Sequence, residues 1–421
     1  MGMIHTFRTN LLFEIIQHYN FTISFKVWYK MKIHFLSILL GVAALSSCVE
    51  EYALPEDISE EYTGQIYIEG KILSGTESLV YILKTTDMNS MANDYVRDAR
   101  VYVESEKGEK TEQGEYDSNG AYVIQTGTLD SEQRYKLVVE YDGNTYESAY
   151  QNLQPTPEID EIGFTEDPIE GKVNIWVSTK GDKSSTPYYM WTFEEDYENH
   201  ALLDMRQYKV VYSTSVYPDV TDAENPYYYC WSHENSHNIM IYSTGDLTEN
   251  TVKEHVIADV SVDKPNLQML YCITVHQSNI SNEAYEYYSQ MKSNTEDMGS
   301  IFAPMPTEVY GNITCTTDPN IKVRGFVTAS NSTMKRFFIN PSDLKNVKCT
   351  WVSGNAVVPP SIKDEEWLKA LGIFIERGYA LISETPEQIK VDDTAYYPSC
   401  INVLLTGGTK DKPEWWPNDH K

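Results

Sequence analysis

From Gly64 onward the chain repeats one pattern, short runs with an apolar residue at every second position, closed by glycine, asparagine or aspartate. Ile66 and Ile68 alternate with Gln65, Tyr67 and Glu69, and Ala99, Val101 and Val103 alternate with Arg100, Tyr102 and Glu104. Tyr135, Leu137, Val139 and Tyr141 do the same against Arg134, Lys136 and Glu140, broken only by Val138. A period of two places the apolar side chains of a run on one face of a strand, and that face must be buried against another sheet. Asp142-Gly143 supplies the positive-φ pair of a tight hairpin before a strand at Thr145–Ser148. Asn119-Gly120 supplies another before Tyr122 and Ile124. Six or seven strands with a turn signal about every ten residues predict a β-sandwich over 64–153.

Leu153-Gln-Pro-Thr-Pro157 interrupts the alternation and predicts a domain boundary. Beyond it Val173-Ile175-Val177 and Tyr188–Phe193 continue as strands, so 154–421 reads as a larger β-rich domain with a few short helices. Ser281 is placed to cap a helix whose Ala284, Tyr287, Tyr288 and Met291 recur at helical spacing. Ser361-x-x-Asp364 has the form of a capping box opening a second helix, with Trp367, Leu368 and Leu371 on one side. The order of the first half is an Ala-x-Val-x-Val strand, a glycine turn, Gly-x-Tyr, then Tyr-x-Leu-x-Val with a closing hairpin. It resembles the transthyretin-like, carboxypeptidase-regulatory-like modules, sandwiches of the immunoglobulin-like kind. The resemblance implies an adaptor, not a catalyst.

The N-terminal region predicts an address. Met31 and Lys32 precede the eleven-residue apolar run Phe35–Leu45, too short to cross a bilayer core of ~30 Å as a helix. Leu45-Ser46-Ser47-Cys48 then resembles a bacterial lipobox, in which the cysteine thiol takes the lipid and becomes the mature N-terminus. Residues 31–47 are therefore predicted to be a signal peptide, and 1–30 an upstream extension. Residues 48–63 are predicted to be an acidic tether lipidated at Cys48. Glu50 and Glu51 resemble the surface-export signal of Bacteroidota lipoproteins, which sends them to the outer leaflet of the outer membrane. Two acyl chains are what stable anchoring takes.

A formal charge of −29 excludes a nucleic-acid partner, because no basic excess exists to displace counterions from phosphates. With Cys48 lipidated, five cysteines remain, an odd number for an oxidising compartment. Cys349–Cys400 is the preferred pair, and without any C-x-x-C a structural zinc site finds no support.

His233-Glu234-Asn235-Ser236-His237 spells H-E-x-x-H, whose zinc chemistry requires a helix presenting both imidazoles on one face. Asn235, Ser236 and Asn238 between strand-like Tyr227–Tyr229 and Ile239–Tyr242 predict a loop instead, so His233 and His237 are read as a decoy and a zinc hydrolase only as a remote alternative. No nucleophile elbow, P-loop or dinucleotide fingerprint occurs, and neither catalytic residues nor a cofactor is predicted. Two aromatic groups, Tyr227, Tyr228, Tyr229 with Trp231, and Tyr285 with Tyr288, are the candidate contacts for a ligand or partner. Inter-element packing is their competing role.

Stretches spread along the chain resemble one family, the Bacteroidota lipoproteins with domain of unknown function 4249. They are Ile68-Glu69-Gly70, Asp142–Tyr146, Tyr188–Trp191, Cys230-Trp231, His276-Gln277-Ser278 with the Glu283–Tyr288 segment, and Gly299–Phe302 with Pro304 and Pro306. Gly311-Asn-Ile313, Gly325-Phe326, Cys400, Gly407-Gly408-Thr409 and Lys412–Trp416 complete the set. The resemblance implies a non-enzymatic surface lipoprotein that assists a TonB-dependent transporter in nutrient uptake, its ligand unnamed. A structural or adhesive lipoprotein is the alternative. A Cys-x-x-Cys pair common near the family's C-terminus is represented here by Cys400 alone.

Overall fold

The computed structural model describes residues 64–86, 94–203, 209–212, 227–296, 309–351, 356–357, 380–383, 394–396 and 403–417. The signal segment, the tether with Cys48, Glu50 and Glu51, and the capping box at Ser361 lie outside the described residues.

The fold is mainly β, as the alternation predicts, and its organiser is the first strand. Ile66–Ser74 pairs antiparallel with Glu77–Lys84 on one side. On the other it pairs parallel with Val327–Ile339, from Gly70 opposite Val327 to Ser74 opposite Asn331. One large sheet results, running in the order Tyr229–Asn235, Tyr188–His200, Tyr271–Asn279, Val327–Ile339, Ile66–Ser74, Glu77–Lys84, Ala121–Gln125 and Glu115–Tyr116. Each half of it is covered by a smaller sheet.

Over the first half lie Arg100–Ser105, Arg134–Tyr141, Asn144–Ser148 and Ile313–Cys315. Ile68, Ile72, Val80, Ile82 and Ile124 of the large sheet share one core with Val101, Val103, Leu137 and Val139 of the small one. The predicted sandwich is there, but 64–153 does not complete it. Ile313, Cys315, Val327 and Ala329 enter the same core from the far half of the chain. The pairing of distant segments leaves no trace in local periodicity. The Leu153–Pro157 stretch runs along Val327–Ile339: Gln154 N–H donates to Ala329 O at 3.0 Å, and Asn331 N–H donates to Gln154 O at 3.0 Å.

Over the second half lies a three-stranded antiparallel sheet, Ile159–Asp167, Lys172–Lys180 and Thr251–Ser261. Its Val173, Ile175 and Val177 pack with Tyr189, Trp191, Tyr271, Ile273 and Val275.

The local signals fare unevenly. Asp142 and Gly143 both have positive φ, at 49° and 74°, as a mirror-image hairpin turn demands. At Asn119-Gly120 only the glycine does, at 88°. That loop is closed instead by Asp117, whose Oδ1 accepts from the N–H groups of Asn119 and Ala121 at 2.9 and 2.8 Å. The helix Asn282–Glu296 starts where expected, with Ser281 Oγ accepting from Ala284 N–H at 3.2 Å. Ala284, Tyr287 and Tyr288 are buried beneath it with Phe326 and Met190. The expected Cys349–Cys400 disulfide is not formed. Cys349 is a free thiol directed at Lys264 O at 3.5 Å, Cys400 lies outside the described residues, and Cys230, Cys272 and Cys315 are buried free thiols.

Candidate functional site

The strand Tyr188–His200 carries opposite chemistry on its two faces. Tyr189, Trp191 and Tyr197 belong to the second core, whereas Thr192, Glu194, Asp196 and Glu198 turn the other way. Register then selects the neighbours of those acids. Asp196 stands opposite His233 on one side and Cys272 on the other, Glu194 stands opposite Asn235 and Thr274, and Thr192 stands opposite His276. His233 Nδ1 comes to 2.8 Å from Asp196 Oδ1, and His276 Nε2 to 3.2 Å from Glu194 Oε1. Ligand atoms of Glu194, Asp196 and His233 all lie within 4.8 Å of one another.

The electrostatics follow from these contacts. His276 beside Glu194, helped by His233 and Arg336, holds the Glu194 carboxyl below the usual carboxylate range against the opposing effect of burial. Burial, reinforced by the Asp196 carboxylate, pushes the Cys272 thiol up to about 12, so at neutral pH it is not a nucleophile. Arg336 is already engaged: its guanidinium lies 4.2 Å over the Trp415 ring, and its Nε donates to Thr274 Oγ1 at 3.3 Å.

The C-terminal segment straps this region. Trp231 and Thr409 exchange backbone hydrogen bonds of 2.9 and 2.8 Å. Gly408 is required there, since a Cβ would sit 2.4 Å from Cys230 Sγ. Trp415 and Trp416 approach Phe338 edge-on at 6.2 and 6.0 Å, and Trp231 joins Leu270, Cys272 and Trp416 in a small apolar cluster. The ring of Trp231, a candidate contact residue by sequence, is thus packing the strap.

The other aromatic candidates are engaged as well. Tyr227 lies under Lys410 at 4.4 Å, Tyr228 stacks on His200 at 5.1 Å, and Tyr229 meets Tyr228 edge-on at 4.7 Å. On the helix, Tyr285 stacks on Tyr188 at 4.8 Å, and Tyr288 donates to the Glu69 carboxylate, which Tyr67 also reaches at 2.8 Å. The two groups therefore serve two different places, the C-terminal strap and the underside of the helix.

Burial raises the Glu69 carboxyl despite those two phenol donors. A carboxyl raised in the folded state binds its proton more tightly there than in the unfolded chain, so its contribution to stability falls as pH rises above the ordinary value near 4.5. Glu69→Gln keeps an acceptor for one phenol, turns a donor toward the oxygen of the other, and removes that titration. Denaturation from pH 4.5 to 8 should give wild type a loss of stability relative to the variant that grows with pH; parallel curves would contradict it.

The H-E-x-x-H string lies on a strand and a turn. The strand Tyr229–Asn235 runs through Glu234, held by its ladder to Tyr188–His200, where local propensity had predicted a loop. Adjacent strand residues face oppositely, so His233 meets Asp196 while Glu234 accepts from Tyr197 Oη at 2.6 Å on the other side. His237 is exposed in the following turn. The helical zinc-protease geometry is not formed.

Sequence reasoning does not single out Glu194 or Asp196, and it marks His276 only within a stretch that carries the family resemblance. Their signal is the i, i+2 spacing of Glu194 and Asp196 on a strand, legible only once the partner strand and its register are known. A cleft of about 470 Å³ lined by Arg97–Ala99, Gln113–Tyr116 and Tyr122 shares no residue with this cluster.

Among known proteins, the model of a family described as "Domain of unknown function (DUF4249)" matches residues 50–336. No curated protein matches the chain.

Proposed function

The chain belongs to the DUF4249 family, and from that premise we propose that it is a non-enzymatic lipoprotein of a Bacteroidota outer membrane, facing the medium and serving a TonB-dependent transporter as an accessory binding or docking partner in nutrient uptake. The observation that carries this reading is the run Phe35–Leu45 leading into Leu45-Ser46-Ser47-Cys48, with Glu50 and Glu51 directly behind it. An apolar stretch of that length ending in small residues and a cysteine has the form of a lipidation signal.

Among the described residues, no helix is long and apolar enough to cross a membrane. The two lipid chains would supply the anchorage. Tethering confines the protein to a thin layer at the transporter mouth and raises its effective concentration there, so a modest intrinsic affinity suffices. The strongly anionic composition favours a body that stands off an anionic surface. The aromatic-lined strap and the polar sheet face beside it are the surfaces proposed for contact.

Cys48→Ala is expected to move the protein from the membrane fraction to the soluble fraction of its native host. Mass spectrometry of wild type should show an acylated N-terminus at Cys48. A variant that stays membrane-bound, or an unmodified polypeptide running through that position, would refute the anchoring. Mild cross-linking in intact cells should recover a TonB-dependent transporter, and repeated absence of one at native expression would refute the partnership.

A further inference from the structure

We propose that Glu194, Asp196 and His233 form a binding site for a divalent transition-metal ion, Zn²⁺ or one of its close neighbours, with His276 supporting Glu194 from outside it. This goes beyond the transporter reading and does not depend on it.

The first ground is placement. Glu194 and Asp196 project from one face of Tyr188–His200, with His233 across one ladder and His276 on the strand across the other. Glu194, Asp196 and His233 already bring their ligand atoms within 4.8 Å of one another, and His276 Nε2 lies 3.2 Å from Glu194. Zinc bonds of about 2.0–2.2 Å require donor atoms a little over 3 Å apart, a contraction within reach of side-chain rotation alone.

The second ground is charge. Among the described residues, the ion-pair partners of Glu194 and Asp196 are these two imidazoles, and no Lys or Arg bridges to either acid. Yet the Asp196 side chain is only 8 % exposed. A carboxylate that far from water needs a cation or several donors, and its ion-pair partner here is one half-exposed imidazole.

The third ground concerns His276. Its Nε2 lies 3.2 Å from Glu194 Oε1 and so orients one of the ligand carboxylates from outside the site. Metal-ligating carboxylates are characteristically held by such an outer partner. The ligand set then selects the ion. One imidazole with two carboxylates suits Zn²⁺ or a close neighbour, whereas Ca²⁺ asks for six to eight oxygens. Two carboxylates also neutralise a divalent charge. His233, half exposed, leaves the site open on one side to water or to a group on a partner.

The test is calorimetric titration of the purified full-length chain in mild detergent, stripped with chelator and then titrated with ZnCl₂. One Zn²⁺ per chain is expected, with affinity lowered about tenfold or more by Asp196→Asn and by His233→Ala. His237→Ala, in the adjacent turn, should leave affinity within about twofold, since no step of the argument uses it. Asp196 is buried and its replacement can disturb folding, so the half-exposed His233→Ala, checked for an unchanged circular dichroism spectrum, decides the matter. Absence of saturable binding overturns the proposal, as does binding that survives His233→Ala or depends on His237 instead.

Discussion

Trp191→Ala is expected to cost about 3–5 kcal/mol of folding stability, the range for emptying a large aromatic site in a packed core. Trp191 has no exposed surface; it stacks on Tyr189 at 5.8 Å with the planes 9° apart and packs against His255 at 5.3 Å. Its Nε1 donates to Gln277 Oε1 at 2.8 Å, and Gln277, also without exposed surface, passes its own amide to Pro157 O at 2.8 Å. Alanine would leave a cavity between two sheets and strand the Gln277 acceptor, a buried polar group whose desolvation is then uncompensated. Trp191→Phe separates the two effects, since it keeps most of the volume and loses the hydrogen bond. About half the penalty is expected for it. Urea denaturation measures both, and a loss under about 1 kcal/mol for the alanine variant would contradict the packing described for this core.

Gly325→Ala should be at least as damaging, by about 3 kcal/mol or more, and is expected to reduce soluble yield. Gly325 has φ of +107°, and a Cβ there would lie 1.9 Å from Ile68 O. Gly311 meets the other side of the same residue, where its own Cβ would fall 1.5 Å from Gly325 O. Both obstacles are backbone, which cannot swing aside as a flexible side chain can. Gly127→Ala is the matched control, with φ of +60° and nothing within 4 Å of the added methyl. It carries the conformational strain alone, about 1–2 kcal/mol. Comparable midpoints for the two variants would show that the close approach at Gly325 contributes little.

These glycines bear on how much of the molecule can be read before it folds. Gly311 and Gly325 sit in stretches that carry the family resemblance, yet nothing around them in sequence says that three backbone segments meet there. The hairpin at Asp142-Gly143 and the cap at Ser281 are legible because cause and effect lie within a few residues. Asn119-Gly120 reads in sequence as the same turn as Asp142-Gly143, and the difference comes from Asp117, whose side chain competes for the backbone. The aromatic candidates show the limit more sharply. Tyr228, Trp231, Tyr285 and Tyr288 cluster in sequence, and the structure spends their faces on His200, Trp416, Tyr188 and Glu69. The polar cluster is the converse case. Asp196 and His233 are strangers in sequence, joined only by an antiparallel register, and among 62 acids in the chain spacing alone cannot pick out the pair.

The parallel ladder between Ile66–Ser74 and Val327–Ile339 has a consequence in time. Synthesis produces the first of these strands early and its partner very late, so the opening half must wait, apolar face unfilled, until the far half arrives. Contacts of such long range close slowly, because the loop entropy is spent before any pairing returns it. A nascent or truncated chain ending short of Val327 therefore displays a bare strand edge that a second copy can occupy, and its natural failure is aggregation through that edge.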